Sequence, residues 1–271
     1  MKNGRRKPHS SQVSTMTSGK SRIHIGVGGW NYEPWRGSFY PAGLAQRREL
    51  EFASRKFTSI EINSTYYGSQ KPESFAKWRD ETPEGFLFAV KGPRFATNRR
   101  VLAEATPSIE RFFTSGVMEL KDKLGPINWQ FLPTKRFEPR DFEEFLKLLP
   151  KTVEGRSIRH AIEVRHESFS TPDFVALARN YDAAIVIAAD SDFPRINDIT
   201  APFVYARIMG TVESEPAGYP EAGLQKWSDQ VWRWSTEESR DVFLYVISGF
   251  KTRNPQAAMA ILARLPHDAR A

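Results

Sequence analysis

Eight short runs of strand character recur along the chain, and most are separated by stretches of helical character. The runs fall at residues 23–29, 59–65, 85–93, 124–132, 160–165, 183–191, 203–210 and 241–249. Helical patterning appears over 45–57, 72–82, 138–150, 171–181, 224–235 and 254–265. In 138–150, for example, Phe142, Phe145, Leu146 and Leu149 repeat at one-face spacing. Strand followed by helix, repeated, specifies parallel βαβ units with right-handed crossovers. Eight units in about 250 residues is the size of a (β/α)8 barrel. The competing arrangement, an open doubly wound sheet, usually carries a glycine-rich phosphate turn after its first strand, and "GVGGWNYEPW" is a poor match to one. The expectation is therefore a single TIM-barrel domain over residues 22–271, preceded by a flexible basic tail over 1–21.

Composition bears on two points. There is no cysteine, so disulfides and thiolate metal sites are excluded and a cytoplasmic location is expected. No apolar run is long enough to span a bilayer, so no membrane association is expected. The net charge of +7 is concentrated at the start of the chain, where Lys2, Arg5, Arg6, Lys7, Lys20 and Arg22 occur without an acid. Setting those six aside leaves 33 of the 39 basic residues against 32 acidic ones, so the body is near neutral.

The strands carry the functional signal. In "HAIEVR", Ile162 and Val164 alternate with Ala161, Glu163 and Arg165. Successive strand side chains point to opposite faces, and a barrel strand must turn its apolar face outward to the helices. Glu163 and Arg165 then point into the barrel. The same parity sends Glu61, Asn63 and Thr65 inward from the second run, Lys91 from the third and Asn128 and Gln130 from the fourth. It also sends Asp190 inward from the sixth run and Tyr205 and Arg207 from the seventh, whereas the eighth run is ambiguous. Three acids thus meet three bases. Isolated buried charges are costly, so these groups must pair with one another or hold a ligand near the carboxyl ends of the strands, where this fold hosts catalysis.

The motifs "GVGGW", "EINSTYY", "FAVKGPR", "LGPINWQFLP", "IEVRHESF", "ADS" and "FVYARIMG" resemble, in order, those of the YecE-like family, a family of unestablished function. The resemblance runs from about residue 23 to the end. It implies a TIM barrel and a site formed by Trp30, Glu61, Asn63, Thr65, Tyr66, Lys91, Gln130, Glu163, Arg165, His166, Asp190 and Arg207. The chain departs from the family pattern at "QFLP", at "HESF", at Met209-Gly210 and at Ser248-Gly249.

Two carboxylates facing one cavity permit general acid/base chemistry, which makes Glu61 and Glu163 the expected catalytic pair, with Lys91 and His166 beside them. Trp30, Asn63, Thr65, Tyr66, Gln130, Arg165, Asp190 and Arg207 are the expected substrate-binding set. Arginines within the cavity and further basic residues at its mouth, Arg36, Arg94, Arg99, Arg100, Lys251 and Arg253, favour an anionic partner. The leading expectation is a hydrolase acting on a phosphate-bearing or other anionic small molecule. The alternatives are a nucleic-acid-binding protein without turnover, and a metal-assisted phosphodiester or sugar hydrolase. For the last, Glu61, Glu163, His166 and Asp190 form an oxygen-rich set for a divalent metal, although no ligand-pair motif supports one. The cofactor is left open.

Overall fold

A computed structural model describes residues 22–237 and 239–270; the expected basic tail over 1–21 lies outside the described residues. The described chain is a closed parallel barrel of eight strands. They are β1 (Ile23–Gly28), β2 (Ser59–Ile62), β3 (Leu87–Lys91), β4 (Leu124–Gln130), β5 (His160–Glu163), β6 (in two pieces, Ala184–Ile185 and Ile187–Ala189), β7 (Phe203–Ile208) and β8 (Asp241–Val246). Each strand pairs in parallel with its sequence neighbour, and β8 returns to β1 with Ile25 opposite Leu244. The break in β6 completes the ring. Its first piece pairs with β5 and its second with β7, so Val186 marks the point where the strand changes partner.

Helices cover the outside: α1 (Glu49–Ala53), α2 (Pro72–Glu81), α3 (Thr106–Thr114), α4 (Pro139–Leu148), α5 (Pro172–Asn180), α6 (Glu221–Glu237) and α7 (Asn254–Arg264). Their starts are chemically marked. Proline occupies the first turn of α2, α3, α4, α5 and α7, where the missing N–H has no helical partner to lose. Thr171 caps α5 by accepting a hydrogen bond from the Phe174 amide at 3.3 Å. No helix lies between β6 and β7. Residues 190–202, "DSDFPRINDITAP", lack an apolar stripe and contain two prolines, so that crossover runs as an irregular segment. Helix α3 and a two-residue hairpin, Thr152–Val153 with Arg156–Ser157, add elements that the sequence patterning did not mark.

The barrel wall separates two apolar clusters. Outside, Ile25, Val27, Ile60, Ile62, Phe88, Val90, Trp129 and Ile162 pack against the helices. Inside, Ala89, Ala161, Ala188, Tyr205, Phe243 and Tyr245 fill the lower bore. The eighth strand is thereby resolved: Phe243, Tyr245 and Ile247 point inward, and Val242, Leu244 and Val246 outward. His24 stacks on Phe243 at 4.6 Å and plugs the amino-terminal end. Small inward residues on β1, β3, β5 and β6 leave room for long side chains from β2, β4 and β7. Gly28 shows why: a Cβ there would lie 2.8 Å from the Asn63 amide nitrogen and 3.0 Å from Ile247.

Two buried histidines are held neutral. Burial lowers His160 to about 4. Its ring accepts from the Trp129 indole at 3.1 Å and meets the Pro150 carbonyl at 2.9 Å, which fixes the proton on Nε2. Burial likewise lowers His24 to about 4. A neutral histidine in the fold stabilises it above the unfolded value of 6.5, and that stability is lost as pH falls toward 4. Each contributes up to about 3 kcal/mol. The urea unfolding midpoint is expected to fall steadily between pH 7 and 4; a flat profile contradicts the neutral assignment.

Candidate anion-binding site at the barrel mouth

Above the aromatic plug, polar side chains from four strands form one hydrogen-bonded network. Arg207 on β7 donates through Nη2 to Glu61 Oε1 at 2.9 Å and through Nη1 to Glu163 Oε2 at 2.6 Å. Tyr205 donates to Glu61 Oε2 at 2.6 Å. Asn128 spans both carboxylates, at 3.3 Å from Glu61 Oε2 and 3.1 Å from Glu163 Oε2. Arg165 completes the set with a 2.6 Å bond to Glu163 Oε1 and a 2.9 Å bond to Gln130 Oε1. Arg207 Nε is buried and has no hydrogen-bond partner among the described residues.

Both glutamates are fully buried, and each of their oxygens accepts at least one donor. Burial alone would raise the Glu163 carboxyl; the guanidinium of Arg207, then Arg165 and Lys91, outweigh it and hold the group at about 2. Neither carboxylate lines the cavity above them. A proton-transfer carboxyl needs reach to the substrate and a pKa near the working pH. Both carboxylates are closed off from the cavity and engaged by donors, and Glu163 is in addition held far from a working pH, so the acid/base role expected of them is not supported; they anchor the two arginines.

The cavity at the carboxyl ends of the strands has a volume of about 570 Å³. Among the described residues four cations line it, Lys91, Arg165, Arg207 and Lys251, and no acidic side chain does. Lys91 is the exception within the network. Its ammonium donates to the neutral Gln130 Oε1 and sits 4.5 Å over the Tyr66 ring, with no carboxylate in ion-pair contact among the described residues. Burial, then the charge of Arg207, lowers it to about 8, against the weaker pull of Glu163 and Glu61. Lys251 stacks 4.1 Å over Tyr32, and burial lowers it as well.

The remaining expected residues divide. Trp30 and Asn63 line the cavity. Trp30 packs edge-on against Trp78 at 5.1 Å, while Trp35, Phe39 and Tyr40 are buried against one another and the outer core, with Phe39 stacked on Phe57 at 5.4 Å. Thr65 and Tyr66 lie behind the wall: Thr65 donates to the Lys91 carbonyl at 2.7 Å, and Tyr66 supports the Lys91 ammonium. His166 is not in the cavity. Its Nδ1 accepts from the Ser168 amide at 3.0 Å and caps the turn Glu167–Phe169. Asp190 lies beyond the end of β6 at a positive φ of 54°, 3.7 Å from Arg195. The divalent set of Glu61, Glu163, His166 and Asp190 therefore does not converge, and no cluster of three or more His, Asp or Glu ligands occurs among the described residues. Of the further mouth cations, Arg36 is turned away by a 2.7 Å bond to buried Glu49, and Arg94, Arg99, Arg100 and Arg253 are not part of this cavity.

Several lining residues carried no readable signal. Tyr67 and Ser64 reach the cavity from the short helix after β2, and Ser248 and Asn254 reach it from the β8 side. Asn254 is fixed by a bond to the Ser248 carbonyl at 3.2 Å and by accepting from Thr211 at 2.8 Å. The side of the mouth where the sequence departs from the family pattern is thus still built of polar groups. Phe193, from the helix-free crossover, covers Arg165 at 4.3 Å.

The family model described as "Protein of unknown function DUF72" matches residues 24–271. The chain belongs to the DUF72 family. It is 29% identical over 150 residues to the YecE protein of Escherichia coli K12, a match covering 54% of this chain and 50% of that one. It is 28% identical over 188 residues to the YunF protein of Bacillus subtilis 168, covering 67% and 64%. The chain thus spans about half of the YecE protein and under two thirds of the YunF protein. A crystal structure of a DUF72 protein from Thermotoga maritima MSB8 superposes with a TM-score of 0.70 at 22% identity, covering 89% of this chain and 97% of that one. That likeness supports the barrel fold of this DUF72 chain. No helix among the described residues is long and apolar enough to cross a membrane.

Proposed function

We propose that this DUF72 barrel binds a phosphate-bearing or otherwise anionic substrate at its carboxyl-end mouth, and that Lys91 is the proton-transfer group of a hydrolytic reaction there. One observation carries the reading. Among the described residues Lys91 lines a cavity without acids and has no carboxylate in ion-pair contact, and it is poised near pH 8, where an amine both holds and releases a proton. Arg207 and Arg165 are locked by Glu163 and line the cavity as fixed cations. Asn63 and Gln130 supply the neutral polar contacts. A bound anion favours the charged form of Lys91, so binding draws in a proton above pH 8.

Calorimetric titration with sulfate, which does not itself titrate over this range, tests the reading. Affinity is expected to fall as pH rises through about 8 in the wild-type protein. Lys91→Met is expected to weaken sulfate binding about 10-fold or more at pH 7 and to flatten the pH dependence. Lys91→Arg is expected to bind sulfate but to lose turnover of any phosphate ester that the wild-type protein hydrolyses. Equal sulfate affinity in wild type and Lys91→Met would discard the proposal.

A further inference from the structure

A second cavity, of about 670 Å³, lies on the other side of the turn Ser64–Tyr67 from the mouth. Ser64 and Tyr67 border the mouth, whereas Thr65 and Gly68 border this second cavity. Its opposite wall is the segment after β3 and the start of α3. Arg99 and Arg111 line it, and among the described residues no acidic side chain does. Phe95 and Arg99 also border a third hollow of about 420 Å³, together with Arg94.

A ridge runs from the mouth, which Tyr67 lines, to these hollows, which Phe95 borders. Tyr67 and Phe95 are 65% and 58% exposed, the two most exposed large apolar side chains among the described residues. The Arg94 guanidinium lies 5.8 Å from the Tyr67 ring centre and 5.5 Å from that of Phe95. No carboxylate pairs with Arg94 or Arg111 among the described residues. Arg99 has only a distant one, Glu104 at 3.9 Å, and its buried Nε lacks a partner. Exposed flat rings alternating with guanidinium groups are the composition of a surface for unpaired nucleic acid. Bases of any identity stack on the rings, and the cations follow the backbone. An acidic peptide satisfies the charges but leaves Tyr67 and Phe95 unexplained.

We propose that this ridge and groove bind a single-stranded nucleic acid. Its bases stack on Tyr67 and Phe95, its phosphates contact Arg94, Arg99 and Arg111, and its terminal phosphate is delivered to the mouth. Only the last clause rests on the function proposed above; the stacking surface stands on its own residues.

Fluorescence anisotropy with a labelled oligothymidylate of about a dozen nucleotides, within the usual span of such surfaces, tests it on the full chain. Phe95→Ala and Tyr67→Ala are each expected to weaken binding about 5-fold or more. Arg99→Ala and Arg111→Ala are each expected to reduce the slope of log affinity against log salt by about 0.7, the single-strand value for one phosphate contact. Both aromatics are exposed, so the variants are expected to keep the wild-type melting temperature. Phe95→Ala is expected to leave sulfate binding at the mouth unchanged, and Lys91→Met to leave binding of an oligonucleotide without a terminal phosphate unchanged. The two readings therefore fail separately. Absence of oligonucleotide binding, insensitivity to Phe95→Ala, or equal competition by inorganic polyphosphate or polyglutamate of matched charge would each overturn the proposal.

Discussion

Arg207→Met is expected to destabilise the protein by about 3–5 kcal/mol at pH 7, because it leaves the buried Glu61 carboxylate without a cation and removes one of the two guanidinium partners of Glu163. In the wild-type protein the Arg207 side chain is 5% exposed and bridges Glu61 and Glu163, whose side chains are at 0%. Its removal leaves Glu61 with Tyr205 and Asn128 as neutral donors, while Glu163 keeps Arg165. The pH dependence separates this mechanism from simple loss of packing. Glu163 is held at about 2, below its ordinary 4.5, so its contribution is present above pH 4.5 and is lost as pH falls toward 2. In Arg207→Met burial is no longer outweighed to the same extent, and protonating a buried carboxyl relieves the variant. Wild type is expected to lose stability below pH 4.5, whereas the variant's deficit shrinks on acidification. Should Arg207→Met fail to fold at neutral pH, the double variant Glu61→Gln/Arg207→Met removes the unpaired charge and is expected to recover part of the stability. Urea midpoints across pH 3–8 read all of this. A variant within about 1 kcal/mol of wild type at pH 7 would show that the ion pairs contribute little.

The strand pleat explains how much of this arrangement was readable in the sequence. Its period of two is fixed by backbone geometry, so Glu61, Lys91, Gln130, Glu163 and Arg207 could be placed inside the barrel from the outward run of Ile, Val and Phe alone. The rule fails where both faces are apolar. In β8, Phe243 and Tyr245 fill the bore while Val242 and Leu244 meet the helices, and both sets look like core. It also stops at the last strand residue. Thr65, Tyr66, His166 and Asp190 follow strand ends, where turns rather than pleats set direction; two of them support Lys91 from behind and two leave the cavity altogether. Tyr67, next in the same short helix, reaches the mouth instead. Partner choice was equally hidden. A tally of three acids and three bases suggests a neutral cavity, but Arg207 engages both glutamates and Asp190 turns to Arg195. Lys91 is thereby left without a counter-charge.

That unmatched lysine carries the second large expectation: Lys91→Met is expected to stabilise the fold while weakening anion binding about 10-fold or more. Lys91 is 6% exposed and is lowered from the ordinary 10.5 to about 8, chiefly by burial. Between pH 8 and 10.5 the unfolded chain holds this proton and the folded one does not, so wild-type stability rises with pH across that window. Below pH 8 both states hold it, and the full cost of burying the charge is present, up to about 3 kcal/mol. Contact with the Tyr66 ring at 4.5 Å offsets part of that cost. Methionine has a comparable reach and no charge, and Gln130 Oε1 still accepts from Arg165, so the substitution strands no polar group there. The variant is expected to exceed wild type by about 1–3 kcal/mol at pH 7, with the advantage closing as pH approaches 10.5. A lysine kept at a position where it opposes folding has the energetics of a binding site, since the ligand returns the charge compensation that the fold withholds. Chemical unfolding of both proteins at pH 7 and pH 10, with and without sulfate, decides the matter. Sulfate is expected to stabilise wild type more than the variant, and a Lys91→Met protein less stable than wild type at pH 7 would assign Lys91 a structural role.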